Sequence, residues 1–218
     1  MAENVVPINL HSVDVICLSE DLTCYINAED NEYVEGVEPS LEFLITSLDI
    51  TGTGAPATLL IFNNEKGFLR KNIESICSVG NSTKAGNRKH GYIGEKGIGF
   101  KSVFLLTANP YIFSNGYQIR FSETPCTECD IAYIVPEWVD KPCISDIQEI
   151  YGRHTSLPTT TLILPLKADK VNAVKEQLSS LHPELLLFLS KIKRLSVKED
   201  NVNPKLNTVR AISISRRM

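Results

Sequence analysis

Long apolar runs are missing from this sequence: nothing approaches the roughly 18 consecutive apolar residues that a membrane-spanning helix needs. An α-helical membrane protein is excluded on that ground. Excess positive charge is also missing. The net charge is −4, so no bulk attraction to nucleic acid is expected, and no specific nucleic-acid partner. Met1–Leu10 carries Glu3 and Pro7 where a secretory leader would be basic and then apolar. Six cysteines are few for 218 residues and show no disulfide framework. These features together predict an intracellular protein, cytoplasmic or nuclear, with reduced thiols. One close pair, Cys126-Thr-Glu-Cys129, could contribute to a zinc site only with two more ligands. Cys143 and His154 lack the usual spacing, so two reduced loop thiols are expected instead. Apolar residues make up 43% of the chain, enough for one core.

Residues 1–17 carry no clear pattern, and an N-terminal segment of poor order is expected there. Leu18–Ala28 reads as a short helix, capped by Ser19 with Glu20 and Asp21 in its first turn. Val34–Pro39 is a loop. Leu41–Ile50 and Thr58–Phe62 read as strands on either side of the turn Thr51–Pro56, which predicts a hairpin. Lys71–Val79 has helical spacing, with Ile73, Ile76 and Cys77 on one face. Gly80–Gly91 has no apolar period and is basic, as a lid-like loop would be. Tyr111–Ser114 and Tyr117–Phe121 flank Asn115-Gly116, the strongest short hairpin signal. Ile131–Val135 reads as a strand and 136–158 as an unpatterned connection. Thr160–Leu166 reads as a strand whose Pro165 marks an edge or an end. Lys170–Leu181 is an amphipathic helix, Leu185–Leu189 the start of another, and Leu195–Lys198 with Val209–Ile214 a last strand pair. The fold class is therefore α+β: one mixed, mostly antiparallel sheet with helices on one face.

The chemistry concentrates in His90–Phe104. Gly94, Gly97 and Gly99 form a turn that leads into a helix near Ile98, with Val103, Phe104, Leu105 and Leu106 as its buried flank. Exposed amides at such a turn suit a phosphate, and Lys96 and Lys101 add positive charge. The dinucleotide pattern G-x-G-x-x-G has the glycines in the opposite order, and no strand precedes them here. In a P-loop, lysine directly follows the last glycine; here Phe100 intervenes before Lys101. The stretch Gly94–Ser102 does fit G-x-x-G-x-G-(F/Y)-x-S at every defined position. It resembles the glycine box of the GHKL ATPases, shared by gyrase, MutL, histidine kinases and the ninety-kilodalton heat-shock chaperone.

Three further stretches occur in the order that this family requires. Asn27-Ala28-Glu29-Asp30-Asn31 resembles the first box, E-(L/I)-x-x-N-A-x-D-(A/N). The resemblance makes Asn27 the Mg²⁺ ligand, with Asp30 and Asn31 completing the box. An amide oxygen binds a hard cation without adding charge. Asn63–Gly67 stands where the family has D-x-G-x-G, with Asn63 in place of the adenine-reading aspartate and Glu65 in place of the first glycine. Thr159-Thr160 stands where a late G-T supports that aspartate, which gives Thr160 the supporting role. The phosphate loop then comprises Gly94, Glu95, Lys96, Gly97, Ile98, Gly99 and Phe100, with Lys84 as a lid cation. The wording of the boxes is most similar to the sacsin/no-vein branch, whose ATPase domains are parts of much larger proteins. The resemblance spans about residues 18–168 and implies a two-layer Bergerat-type sandwich that binds ATP and Mg²⁺. Residues 169–218 are then helices and strands that pack on or extend that domain.

One departure bears on activity. The family's general base is a glutamate four residues before the magnesium asparagine, and here that position is Thr23. A threonine hydroxyl takes no proton at neutral pH, and loss of a base lowers rates by about 10²–10⁴. The resemblance therefore implies nucleotide binding with weak or no hydrolysis. The alternatives are an active ATPase using Glu20 or Glu29, and a scaffold or interaction module with a degenerate pocket. Family members often dimerise through lid and N-terminal exchange; the segments needed are reduced here, which leaves protein partners or self-association as the expected contacts.

Overall fold

The computed structural model describes residues 32–78, 100–127, 129–183, 186, 189 and 191–214. Eight strands form one open sheet: β1 Ser40–Thr46, β2 Thr58–Asn63, β3 Tyr111–Ser114, β4 Tyr117–Arg120, β5 Glu137–Trp138, β6 Thr160–Pro165, β7 Arg194–Asp200 and β8 Thr208–Ser213. Their order is β5-β4-β3-β6-β2-β1-β7-β8. Every pairing is antiparallel except that of β1 with β7. β2 lies near the middle and is buried along its whole length, which its unbroken Leu-Leu-Ile-Phe run anticipates for a strand covered on both faces. β1 and β2 form the expected hairpin, although β1 stops at Thr46. Beyond it Asp49 gathers the amides of Thr51 and Gly54 and the hydroxyl of Thr51, so the chain turns rather than continuing extended. The β3–β4 hairpin turns at Asn115 and Gly116, whose φ values of 48° and 83° suit a primed turn. Pro165 closes β6, a strand in the interior of the sheet rather than at its edge.

Helices cover both faces, not one. On the first face, Phe43, Ile45, Leu59, Ile61, Ile112, Leu164 and Val197 pack with Ile73 of α1 (Arg70–Ile76) and with Val174 and Leu178 of α3 (Val171–Ser179). On the second face, Leu44, Leu60, Phe62, Tyr111, Phe113 and Ile163 pack with Ile147 of α2 (Ile144–Tyr151). The Tyr151 ring lies against Phe62 with centroids 4.5 Å apart. Sequence pattern misses α2 because the helix has eight residues and fully buries only Ile147.

Two other expectations change. Ile131–Val135 is not a strand: Asp130 and Tyr133 have φ of 55° and 68°, which an extended ladder does not accommodate. The edge position beside β4 is taken by Glu137–Trp138 instead. Of the helix expected from near Ile98, the described residues show a 3-10 helix, Phe100–Leu105, with Val103 and Phe104 buried and Leu105 exposed. A three-residue period puts Leu106, not Leu105, beside Val103. Most of Leu185–Leu189 lies outside the described residues. No helix among the described residues is long and apolar enough to cross a membrane.

Two outcomes test the second face. Ile147→Ala is expected to destabilise the protein by about 2–5 kcal/mol in chemical denaturation, and Ile144→Ala, more than half exposed, by under about 0.5 kcal/mol. Equal effects would contradict the packing of α2. The Tyr151 phenol donates to Glu42 Oε1 at 3.0 Å. Burial first, and the Glu42 carboxylate second, push this phenol up to about 12. The folded state thus favours the neutral phenol. That contribution is complete below the ordinary tyrosine range near 10 and is lost as pH rises from there through about 12. Alkaline denaturation of the protein and of Tyr151→Phe is expected to diverge below that window and converge through it.

Candidate functional site

On the first face, the central strands β2, β6 and β3 are apolar except at one end. There a row of polar side chains crosses three strands: Asn63 on β2 pairs with Thr160 on β6, and Thr160 pairs with Ser114 on β3. All three are buried, at 5%, 3% and 4% exposure. The next inward row is Ile61, Leu162 and Ile112, so the polar row borders the core directly. Buried hydroxyls and amides are tolerated only with partners, and the turn that follows β2 supplies those of Thr160 and Ser114.

That turn is Asn64–Phe68. Glu65 folds back over the row and is itself buried. The Thr160 hydroxyl donates to Glu65 Oε1 at 2.9 Å, and the Ser114 and Thr160 hydroxyl oxygens are 2.6 Å apart. Ser114 Oγ also accepts from the Phe68 amide at 2.8 Å. Asn115 Nδ2 donates to the carbonyls of Lys66 and Phe68, at 3.0 and 3.3 Å. Gly67 has φ of 88°, and a Cβ there would lie 2.4 Å from Asn115 Nδ2. Glycine is therefore required both by the backbone and by the close crossing of the two turns. Asn64 ties the turn to the start of β1 by accepting from Ser40 N at 2.8 Å and donating to Glu38 O at 2.8 Å.

Asn63 and Glu65 have different surroundings. The Tyr33 phenol donates to Asn63 Oδ1 at 3.1 Å. The hydroxyl of Thr160 serves Glu65, two residues on from the position assigned to the supported group by motif alignment. Phe100 packs edge-on against Phe121, with centroids 5.5 Å apart. Lys101 Nζ donates to Ser78 O at 3.0 Å, which links the 3-10 helix to the residues after α1. Asn63, Gly67 and Thr160 are thus brought together at one end of the sheet. Thr23, Asn27, Asp30, Asn31, Lys84 and Gly94 to Gly99 lie outside the described residues, as do Glu20 and Glu29.

Ser114, Asn115 and Tyr33 belong to this constellation without having been singled out in the sequence. A signal for Ser114 was present: strands Thr58–Asn63, Tyr111–Ser114 and Thr160–Pro165 each end an apolar run on a polar residue, Asn63, Ser114 and Thr160. Among the described residues, no three histidine, cysteine, aspartate or glutamate side chains gather as a metal site, so Cys126, Cys129, Cys143 and His154 do not converge.

Residues 34–126 match the family model described as the Sacsin domain. That segment contains the Asn63–Gly67 turn, the glycine turn and the 3-10 helix, and it excludes Asn27 and Thr160. The chain is also similar to "Protein NO VEIN" of Arabidopsis thaliana, with 40% identity over 176 residues. The alignment covers 76% of this chain and 6% of that protein, so the chain spans only a small part of the relative's length.

Removing one hydroxyl should show how the network is shared. Thr160→Val leaves Glu65 and Ser114 each short of a partner and is expected to destabilise by about 1–3 kcal/mol. Gly67→Ala is expected to destabilise by a similar ~1–3 kcal/mol through its left-handed backbone. Urea titration checks both, and a neutral result for Thr160→Val would contradict the shared network.

Proposed function

From its relation to the sacsin and NO VEIN proteins, we propose that this chain is a GHKL-type domain that binds ATP with Mg²⁺ and hydrolyses it weakly or not at all. The observation that carries the reading is the buried Glu65 carboxylate, oriented by the Thr160 hydroxyl at the polar end of the sheet. In the GHKL pattern a threonine on a late strand supports the acid that accepts the adenine amino group. Glu65-Lys66-Gly67 also preserves the acid-x-glycine order of D-x-G, with glutamate for aspartate. Glu65 is therefore the adenine acceptor in this reading, and Asn63 its neighbour on the floor of the site. A carboxylate accepts such a bond about twice as strongly as a neutral amide would.

The glycine turn Gly94–Phe100 supplies backbone amides to the phosphates, and Lys84 and Lys96 offset their charge. Asn27 presents an amide oxygen to Mg²⁺, which when bound spreads and neutralises phosphate charge. Thr23 leaves the attacking water without a base, so the bound nucleotide acts as a conformational ligand rather than a fuel. A second reading, a non-enzymatic interaction module, is favoured by the depth of burial of Asn63 and Glu65: the same network ties two turns together without a ligand.

Calorimetry separates the two readings. Titration with Mg-ATP is expected to give saturable heat that is absent with Gly97→Val or Gly99→Val. Glu65→Gln is expected to weaken ATP binding by about tenfold, the difference between a charged and a neutral acceptor. Phosphate release is expected to stay at the buffer level. No heat at millimolar Mg-ATP would overturn the nucleotide reading and leave the interaction module.

A further inference from the structure

The two edges of the sheet are unlike. β5, at one edge, is two residues long and follows Pro136. β8, at the other, is six residues long and holds neither proline nor glycine. Its ladder with β7 runs residue for residue, from Arg194 with Ser213 to Glu199 with Thr208. Short strands, prolines and bulges are the usual defences of an edge, and β8 has none of them. Its one charged side chain, Arg210, turns back on the fold, where Nη1 donates to the Ser179 carbonyl at the end of α3.

The ladder fixes which backbone groups of β8 face outward. The Arg194 amide donates to Pro39 O at 3.3 Å, and Asp200 O accepts from Ser47 N at 3.2 Å. Even-numbered residues of β7 therefore turn their backbone groups toward β1, and odd-numbered ones toward β8. Leu195, Val197 and Glu199 thus face Ile212, Arg210 and Thr208. The N–H and C=O groups of Val209, Ala211 and Ser213 are left directed away from the sheet. Among the described residues, no strand lies beyond them. Ile212 packs against the core of the first face, so the side chains of Val209 and Ala211 lie on the second, where Val209 is 71% exposed.

The edge is also held in place. In the turn 201–207 the Asn201 amide donates to Asn207 Oδ1 at 2.6 Å, and Asn201 Nδ2 donates to Leu206 O at 2.9 Å. Lys175 Nζ donates to Asn201 Oδ1 at 3.1 Å and ties the turn to α3. An edge ordered in advance gives up little conformational freedom on binding. The hairpin carries Arg194, Lys198, Lys205 and Arg210 against Glu199 and Asp200, and Asp200 already accepts from Thr46 and Asn207. That is a positive excess in a chain of net charge −4. A second copy of the same edge would bring like charges together, whereas a segment bearing carboxylates would complement them.

We propose that the outer edge of β8 docks an extended acidic segment of a partner protein, which joins the sheet as a further strand. Its backbone exchanges hydrogen bonds with Val209, Ala211 and Ser213. Its side chains opposite Val209 and Ala211 are small or apolar, and those beside Arg210 are carboxylates. The Arg210 guanidinium has donors beyond the one given to Ser179. Lys198 and Arg194, opposite Val209 and Ser213, add positive potential along the edge. β1 and β7 separate this surface from β2 and its polar end, so docking does not depend on a nucleotide.

Hydrogen exchange of the full chain, alone and with a short synthetic peptide of alternating valine and glutamate, tests the proposal. The amides of Val209, Ala211 and Ser213 are expected to exchange fast in the chain alone and to become protected by the peptide. In fluorescence polarisation, a peptide of alternating valine and lysine is expected to bind about tenfold more weakly. Ala211→Pro removes one outward N–H while leaving the bonds to β7, and is expected to abolish binding. Arg210→Glu is expected to reverse the preference between the two peptides. Protection of the three amides in the chain alone would show that another segment or a second copy already covers the edge, and would overturn the proposal. Failure of the acidic peptide to protect them, or equal binding of the two peptides, would overturn it as well.

Discussion

The hydrogen bond from Thr160 to Glu65 is the constraint on which this end of the molecule depends. A carboxylate taken out of water is costly unless its oxygens are met by donors. The Thr160 hydroxyl can meet it only if β6 lies between β2 and β3 in the observed register, with Asn63, Thr160 and Ser114 side by side. A one-residue slip of β6 would turn Thr160 to the other face and bring Thr161 or Thr159 into its place. The apolar rows beneath enforce the register, since the same slip would turn Leu162 and Leu164 away from their core. Hydrophobic packing thus fixes the sheet, and the sheet fixes the polar site.

The same economy governs the turns. Asn115, required for its left-handed backbone in the β3–β4 hairpin, also donates its side-chain amide across to the carbonyls of Lys66 and Phe68. Gly67 lets the two turns approach closely. The site is therefore carried by turns locked to each other and to the sheet end, while α2 closes the far face and β7 with β8 widens the sheet beyond β1.

Local signals in the sequence reached the hairpins and the last strand pair. The turn Thr51–Pro56, the Asn115-Gly116 pair and the alternation around them are properties of adjacent residues. Strand order was out of reach, because the insertion of β6 between β2 and β3 and the parallel docking of β7 on β1 are long-range choices. Ile131–Val135 reads as a strand from its apolar content, yet left-handed backbone at Asp130 and Tyr133 folds it into a loop. At the candidate site, motif order singled out Asn63, Gly67 and Thr160, which the fold brings to one end of the sheet. It did not reach the partner of Thr160, because Asn63 ends the apolar strand, Glu65 lies two residues beyond it, and only the turn geometry distinguishes them.

In the proposed nucleotide-binding role, an adenine base would meet Glu65 at the polar end of the sheet. Amide NMR of the labelled protein during titration with Mg-ATP locates such contact residue by residue. The expected result is saturable shifts at the amides of Glu65, Gly67, Phe68 and Thr160 with ATP, and much smaller ones with GTP. Shifts confined to other surfaces, or equal responses to the two nucleotides at these amides, would contradict the claim.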